Sequence, residues 1–201
     1  MSITNYTELQ SAIAAWMIRS DLTSVIPDFI ALFEATANRR LRVRQQETAT
    51  SLTPSSGTAT LPTDYLAWRR MTWNGATARE LEYVHPTYLR AMYPTAPSDI
   101  PRMWTVEGSS VLVRPVDDTA LSFLYYAKVP ALSGSATTNW LLTAHPDLYL
   151  FGSLVEAQAY VIDPEKAALW KLRRDELFDE IVRLDAKTQG PAAPRVMGAT
   201  P

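Results

Sequence analysis

Two histidines and two adjacent aspartates are the side chains best suited by type to do chemistry. His85 and His145 each precede a proline, and a residue before proline favours extended backbone. We therefore interpret both histidines as boundary residues where a loop meets a helix. Asp117 and Asp118 follow a strand that ends at Pro115, and two neighbouring acids in a loop are typical of a turn. Paired acid–base catalysis would need a further carboxyl group facing them across a cleft.

Glu156 lies within a run of apolar residues that predicts a buried helix. A lone carboxylate in such a position costs free energy unless it is paired, so we expect it to meet an arginine or to lie at a subunit interface. The sequence contains no metal-ligand spacing, phosphate-binding loop or nucleophile-elbow motif. We therefore predict no catalytic residue, no cofactor and no metal site, which is typical of a protein that is not an enzyme.

Composition narrows the class of protein further. Nineteen basic and 21 acidic residues give the 201-residue chain a net charge of -2, and a dedicated nucleic-acid binder would be basic. The absence of cysteine excludes disulfides and thiolate metal sites and favours a reducing compartment. The sequence predicts neither a secretory signal nor a membrane-spanning stretch. A hydrophobic fraction of 47% is enough for a sizeable core.

The segment Asn139–Leu184 predicts two consecutive helices around which the rest of the chain packs. The first, about His145–Ile162, has apolar residues in two interleaved series, which indicates burial on more than one side. The two series are Leu148, Phe151, Val155, Ala159 and Ile162, and Leu150, Leu154, Ala157 and Val161. The second helix begins at Asp163-Pro164. Its predicted inward residues are Trp170, Leu177, Ile181 and Leu184, and its predicted outward residues are Lys171, Asp175, Asp179 and Arg183.

Two more helices are predicted near the N-terminus. Asn5 and Glu8 resemble a capping box, and this helix is expected to end near Ser20–Asp21. The next helix begins close to Pro27 and ends in a basic group made of Arg39, Arg40, Arg42 and Arg44. Cations at a helix C-terminus are typical of a solvated, favourable end. The alternative is a basic patch that meets an acidic partner or lies near a DNA channel.

Between the two helical stretches, residues 47–138 have the composition of an antiparallel β domain. We predict turns at Pro54–Gly57 and Leu61–Asp64, a strand over Leu66–Trp73, and a tight hairpin at Asn74-Gly75 with a return strand over Thr77–Leu81. Ala120–Val129 is the clearest strand and has aromatic residues on both faces. A short helix, Pro86–Met92, and a hairpin formed by Arg102–Glu107 and Val111–Arg114 complete the prediction.

The predicted architecture is α+β, with a helical bundle built from both chain ends and an inserted antiparallel β domain. The expected domains are 1–46 with 139–189 for the bundle, 47–138 for the β domain, and 190–201 for a flexible C-terminal tail. Six tryptophans and nine tyrosines are many for this length, and aromatic residues are concentrated at protein interfaces. This abundance favours an assembly protein.

The order of several short motifs resembles the head-to-tail adaptor (connector or neck) proteins of tailed bacteriophages, over about Ala31–Asp185. The motifs are Leu61–Leu66 before Asn74-Gly75, Glu82–Pro86 running to Tyr93-Pro94, Val111–Pro115, Tyr125–Leu132, Asn139–Leu142 and His145–Leu150. The resemblance implies a structural ring, expected to be dodecameric, that lies below the portal, extends the DNA channel and provides the platform for a tail or nozzle protein. It also implies a place in the neck of the virion after assembly in the host cytoplasm, with genomic DNA passing through without sequence-specific binding and with no membrane.

Three groups of residues are the candidate contact sites. The tail, through Pro191, Pro194, Arg195, Val196 and Met197, is expected to order on the portal. Phe123, Tyr125, Tyr126 and Glu156 are expected at a subunit interface, and Arg39, Arg40, Arg42 and Arg44 at a partner or at the DNA channel. Another tail-completion or head-closure protein is the alternative, and a small enzyme with an inserted β domain is less favoured.

Overall fold

The computed structural model describes residues 3–19 and 21–188, and within them the chain has the predicted α+β fold. Its described residues form two compact units. The β unit is Gln45–Lys128, and the helical unit contains the residues before and after it. The predicted tail, with Pro191, Pro194, Arg195, Val196 and Met197, lies outside the described residues.

Six helices and eight strands make up the described fold. The helices are α1 (Tyr6–Met17), α2 (Ile26–Arg40), α3 (Pro86–Met92), α4 (Trp140–Ala144), α5 (Pro146–Tyr160) and α6 (Pro164–Thr188). The strands are β1 (Glu47–Leu52), β2 (Thr58–Thr60), β3 (Tyr65–Trp73), β4 (Arg79–Glu80), β5 (Glu82–Tyr83), β6 (Met103–Glu107), β7 (Ser110–Arg114) and β8 (Leu121–Ala127). Helix α3 belongs to the β unit, and the other helices form the helical unit.

Helix α5 is the centre of the helical unit, as its two apolar series predict. Its consecutive residues Leu148, Tyr149 and Leu150 are all buried, which requires neighbours on several sides of the helix. Helices α1, α2, α4 and α6 all pack against it. The burial does not extend along its whole length, because Ala159 and Tyr160 in its last turn are exposed. Ile162 of the predicted apolar series lies beyond the end of α5 and is 86% exposed.

Helix α1 is shorter than predicted at its C-terminal end. Asn5 Oδ1 accepts a hydrogen bond from the backbone N of Glu8 (3.0 Å), which is the Asn5 half of the predicted capping box. The Glu8 carboxylate accepts from the backbone N of Thr4 (2.7 Å) instead of Asn5. The helix ends at Met17 instead of near Ser20–Asp21, because Ile18 has a left-handed backbone conformation with φ 54°. The N–H groups of Ile18 and Arg19 then bond to the carbonyls of the last turn and close the helix.

Helix α6 starts where predicted, with Asp163 Oδ1 accepting from the N–H of Lys166 at 3.2 Å. Its inward face differs from the prediction. Leu184 is 50% exposed, whereas Phe178 and Asp185 are buried. A helix rotated slightly about its axis keeps Ile181 inside while it exchanges Leu184 for Phe178, so the hydrophobic period alone did not fix the inward face.

The β unit is a sandwich of two four-stranded sheets, with strand orders β1-β8-β3-β4 and β2-β7-β6-β5. Its core joins the two sheets through side chains such as Met71, Trp104 and Phe123, and the Trp104 and Phe123 rings meet edge to face at 5.7 Å. All strand pairs are antiparallel except β5 with β6, which is parallel. The second sheet is therefore mixed, because the chain crosses from the first sheet to the second between β4 and β5.

The predicted Asn74-Gly75 hairpin is longer than two residues. Strands β3 and β4 pair through Trp73 and Arg79, which leaves five residues in the loop. A Cβ on Gly75 would lie 1.9 Å from the Trp73 ring. Glycine at position 75 therefore makes room for a folded-back tryptophan, a role that the dipeptide signal did not reveal.

The segment after β8 packs with the helices. The N–H of Val129 donates to Asn38 Oδ1 at 2.8 Å, and Val129 and Leu132 are both buried in the helical core. The compact helical unit thus resumes at Val129, ten residues before the domain boundary that composition predicts.

Candidate interaction surfaces

A buried polar network joins α2, α4 and α5 inside the helical unit. Asn139 Nδ2 donates to Tyr149 Oη at 2.6 Å, and Tyr149 Oη donates to Glu34 Oε1 at 3.1 Å. The backbone N–H of Leu132 donates to the same Glu34 oxygen at 2.9 Å. Glu34 is 6% exposed and Tyr149 is fully buried. Each polar group is satisfied by another within a closed core, so the network fits a structural role.

We expect this network to make the stability of the chain depend on pH. Burial raises the pKa of Glu34, and the hydrogen bonds from Leu132 and Tyr149 offset only part of the rise. The folded chain therefore holds the Glu34 proton more tightly than the unfolded chain. Its contribution to stability is complete in acid and is lost as the pH rises from the ordinary glutamate pKa, about 4.3, through the raised one.

Urea unfolding of the wild type and of Glu34→Gln across a pH series measures this contribution. The free energy of unfolding of the wild type, minus that of the variant, is expected to fall as pH rises through this window. Taking the difference removes the opposite acid effect of surface carboxyls such as Asp21 and Glu107, whose pKa values are lowered by Arg19 and Arg90. A difference that stays constant with pH would contradict the assignment.

The four arginines of the predicted basic patch lie in different environments. Arg40 lies over the Phe178 ring, 4.4 Å from its centroid, and pairs with Asp175 and, at 3.8 Å, with Asp179. Arg42 donates to the carbonyl oxygens of Asn38 (2.8 Å) and Leu41 and is half-buried.

The other two arginines, Arg39 and Arg44, are exposed. The backbone N–H of Arg44 donates to Asp185 Oδ1 at 3.1 Å. Arg40 is also exposed, but its guanidinium is held by Phe178 and Asp175, so Arg39 and Arg44 are the exposed members of the patch that the end of α2 does not use. A contact with an acidic partner or with DNA stays a prediction for them.

Arg39 and Arg40 form a matched pair for mutation. Arg40→Ala is expected to lower the free energy of unfolding by about 1 kcal/mol, since it removes a cation–π contact and a partly exposed ion pair. Arg39→Ala is expected to change it by less than about 0.5 kcal/mol, because this exposed side chain donates to Thr36 of its own helix and forms no ion pair within residues 3–19 and 21–188. Chemical denaturation of the two variants checks the prediction, and equal losses would contradict it.

The residues predicted at a subunit interface lie in different environments. Phe123 and Tyr125 are 0% and 3% exposed in the core of the β unit, so no surface is left on them for another subunit. Tyr125 Oη donates to Asp64 at 2.9 Å, and burial together with this carboxylate raises the pKa of Tyr125 to about 12.

Tyr126, on the opposite face of β8, lies under the Arg69 guanidinium at 5.7 Å. Glu156 is half-buried on α5. An interface role stays a prediction for Tyr126 and Glu156.

The residues that looked suited to chemistry have structural contacts. Asp117 Oδ1 accepts from Trp73 Nε1 at 3.2 Å, and Asp118 Oδ1 accepts from the N–H of Gly57 at 3.1 Å, so both acids fix a loop, as predicted. His85 caps α3 through Nδ1, and His145 is the boundary between α4 and α5.

Among residues 3–19 and 21–188, no three histidines or acids are grouped so as to hold a metal ion. No helix in that part of the chain is long and apolar enough to cross a bilayer.

The prediction from sequence did not identify two rows of exposed side chains on the outer faces of α2 and α6. Leu32 on α2 is 53% exposed, and Leu169 and Leu172 on α6 are 50% and 59% exposed. Arg39 follows the α2 leucine, and Glu176 and Glu180 follow the α6 leucines. The available signal was the excess of leucine in α6 outside a single stripe, since a helix that buries one face needs apolar residues on that face only.

A family model described as SU10 adaptor protein matches residues 4–195 of the chain. No curated protein matches the sequence. The matched range includes both the helical unit and the β unit. Membership of an adaptor family implies contact with other phage head and tail proteins and a place in the virion. The chain therefore belongs to the SU10 adaptor protein family, which confirms the resemblance to phage head-to-tail adaptors.

Proposed function

We propose that this chain is a structural head-to-tail adaptor that assembles into a ring below the phage portal. The ring extends the DNA channel and presents the platform to which the tail or nozzle protein attaches. The observation that carries the proposal is the family match over residues 4–195. The proposal gives the chain no catalytic step, and its partners are copies of itself, the portal and the tail.

The described surface supports a role in protein assembly. Fourteen large apolar side chains are at least 36% exposed, among them Trp16, Ile18, Leu172 and Ile162. Nine of them lie in the helical unit, where a single soluble chain rarely leaves so much apolar surface without a partner to cover it. Ile18 and Ile162 both have left-handed backbone conformations and are 92% and 86% exposed.

The charge balance supports passage of DNA through a channel without specific binding. A net charge of -2 gives no excess of lysine and arginine to neutralise phosphates. Exposed Arg39 and Arg44 are candidates for a few contacts, and the duplex would otherwise slide past a surface of mixed charge. DNA binding by the isolated protein is accordingly expected to be weak and not steeply dependent on salt.

Mixing the purified protein with its cognate portal and imaging the product by electron microscopy tests the proposal. The expected result is an additional ring stacked on the portal, with a central opening continuous with the portal channel. Co-purification with the tail protein in the absence of any portal complex would favour the alternative, a tail-completion or head-closure protein. Failure to bind either protein would contradict both.

The role of the tail is tested in the same mixture. We propose that residues 191–201, including Pro191, Pro194, Arg195, Val196 and Met197, order on docking to the portal. A chain truncated after Gly190 is expected to retain the circular dichroism and thermal unfolding of the full chain while failing to join the portal. Normal binding of the truncated chain would exclude the tail as the portal contact.

A further inference from the structure

The outer face of α2 has a row of residues that leaves space for another helix. Ala31, Leu32, Ala35 and Arg39 are all exposed and follow one another at intervals of one, three and four residues. Residues three and four apart lie side by side on a helix surface. The small alanines on each side of Leu32, itself 53% exposed, allow close approach of a second helix, and Arg39 adds a positive charge at the C-terminal end of the row.

The outer face of α6 has a row of matching character. Leu169 and Leu172 are 50% and 59% exposed and are followed by the exposed acids Glu176 and Glu180. From Leu169 onward this row is therefore apolar first and acidic afterwards, and the exposed Glu165 precedes it by one turn. The α2 row is apolar first and basic afterwards, so the two rows match in order and are opposite in charge.

The charged side chains of both rows form few hydrogen bonds or ion pairs within the described part of the chain. The Arg39 guanidinium donates to Thr36 Oγ1 of its own helix at 2.9 Å. Glu176 pairs at 3.2 Å with Arg173, one turn earlier, in an exposed contact. Glu180 forms no ion pair with any residue in 3–19 or 21–188. It lines a recess of about 430 Å³ whose other lining residues are Glu176, Asp179, Arg183, Leu184 and Lys187. Three acids and two cations leave this recess with an excess of negative charge.

We infer that the α2 row of one copy packs against the α6 row of the next copy, with the two helices parallel. This inference rests on the proposed ring and names the surface that closes it. With Leu32 opposite Leu169, the equal spacing along both helices brings Ala35 opposite Leu172 and Arg39 opposite Glu176. An antiparallel arrangement with Leu32 opposite Leu172 would bring Arg39 opposite Glu165, so the pairing of side chains does not fix the direction, and the symmetry of the ring decides it.

The symmetry of a ring requires this combination of features. The two rows are different surfaces, so the contact is heterologous, and a heterologous contact repeated by rotation closes into a ring. Rotation about the ring axis preserves the direction of every helix along it. Within one chain, Phe29 near the start of α2 lies against Tyr160 at the end of α5, just before α6, and Arg40 at the end of α2 pairs with Asp175 in α6. Helices α2 and α6 thus point the same way, as a parallel contact between copies needs.

Disulfide cross-linking gives a direct test, because the chain has no cysteine of its own. The variant Ala35→Cys/Leu172→Cys, assembled on the portal and oxidised, is expected to give a ladder of covalent oligomers on a denaturing gel. Each copy then links to one neighbour through position 35 and to the other through position 172. The single variants are expected to give no ladder. Ser11→Cys/Leu172→Cys is the matched control, since Ser11 is exposed on α1 and belongs to neither row.

A charge exchange tests the same contact without a covalent bond. Arg39→Glu and Glu176→Arg, each alone, are expected to reduce the yield of rings about tenfold or more, the effect of about 1.4 kcal/mol at each interface. The double variant Arg39→Glu/Glu176→Arg is expected to restore it. The thermal unfolding of all three variants should stay close to that of the wild type, because both side chains are exposed.

The outcomes separate this inference from the proposed function. Rings that form without the cross-linked ladder and tolerate both charge reversals would overturn the inference and leave the ring intact. Cross-linking that stops at dimers would also overturn it, because it would indicate an isologous contact. Failure of the wild type to form any ring with its portal would overturn the inference together with the proposed function.

Discussion

Asn139→Ala is expected to lower the free energy of unfolding by about 3 kcal/mol. Asn139 Oδ1 accepts from the N–H of Leu142 at 2.8 Å and caps α4, and losing such a cap costs about 1 kcal/mol. Its Nδ2 donates to the carbonyl of Pro130 at 2.7 Å and to Tyr149 Oη at 2.6 Å. Leaving buried partners unsatisfied adds about 1–3 kcal/mol. Urea unfolding monitored by far-ultraviolet circular dichroism, which reports the helices, measures the loss.

Two further variants identify the source of this loss. Asn139→Asp keeps the acceptor that caps α4, removes the two donors, and adds a carboxylate to the network that contains Glu34. It is expected to be at least as destabilising as Asn139→Ala at neutral pH. Asn74→Ala is the control, because Asn74 bonds to Ser122 at an exposed site and its loss should cost less than about 1 kcal/mol. Similar losses at positions 74 and 139 would contradict the importance of the buried network.

Gly152→Ala is expected to destabilise the helical unit by about 2 kcal/mol, although alanine favours a helix over glycine by about 1 kcal/mol. A Cβ at position 152 would lie 2.0 Å from Cδ2 and 2.3 Å from Cε2 of Phe33. The Phe33 ring is fully buried and packs on Tyr149 at 4.9 Å and on Phe178 at 6.2 Å. It has little room to move, so overpacking outweighs the helix propensity.

Position 134 provides a matched control for this glycine. A Cβ on Gly134 would meet nothing within 4 Å, so Gly134→Ala is expected to be neutral or slightly stabilising. The double variant Phe33→Leu/Gly152→Ala should recover part of the stability lost by Gly152→Ala, measured relative to Phe33→Leu alone. A stabilised Gly152→Ala chain would show that α2 and α5 are not packed as closely as the structure has them.

Local sequence rules located most elements because the signals act within a few residues. Asn5, Asp163 and the prolines at positions 27, 86, 146 and 164 mark helix starts, and each lies at or next to the observed start. Strand β8 was recognised from its alternation, and it is an inner strand between β1 and β3. These features depend on backbone hydrogen bonding and side-chain direction, which neighbouring residues decide.

The contact sites were harder to predict because exposure depends on distant residues. Phe123 and Tyr125 were expected at an interface, but the second sheet covers them within the same chain. Arg40 was grouped with Arg39, but its guanidinium packs over the Phe178 ring and pairs with Asp175 of the same chain. Adjacent residues of the same type therefore have different roles, which composition cannot distinguish.

The sequence by itself determined the α+β class, the helical unit made from both chain ends, the inserted β domain between them and, through a set of ordered motifs, the adaptor family. Only the tertiary structure decided which faces are left uncovered, and thus that Leu32, Leu169 and Leu172 point outward while Glu34 and Arg174 are buried. The physical reason is that the periodicity of a helix or strand decides which side chains share a face. Which neighbouring element covers that face depends on the fold of the whole chain.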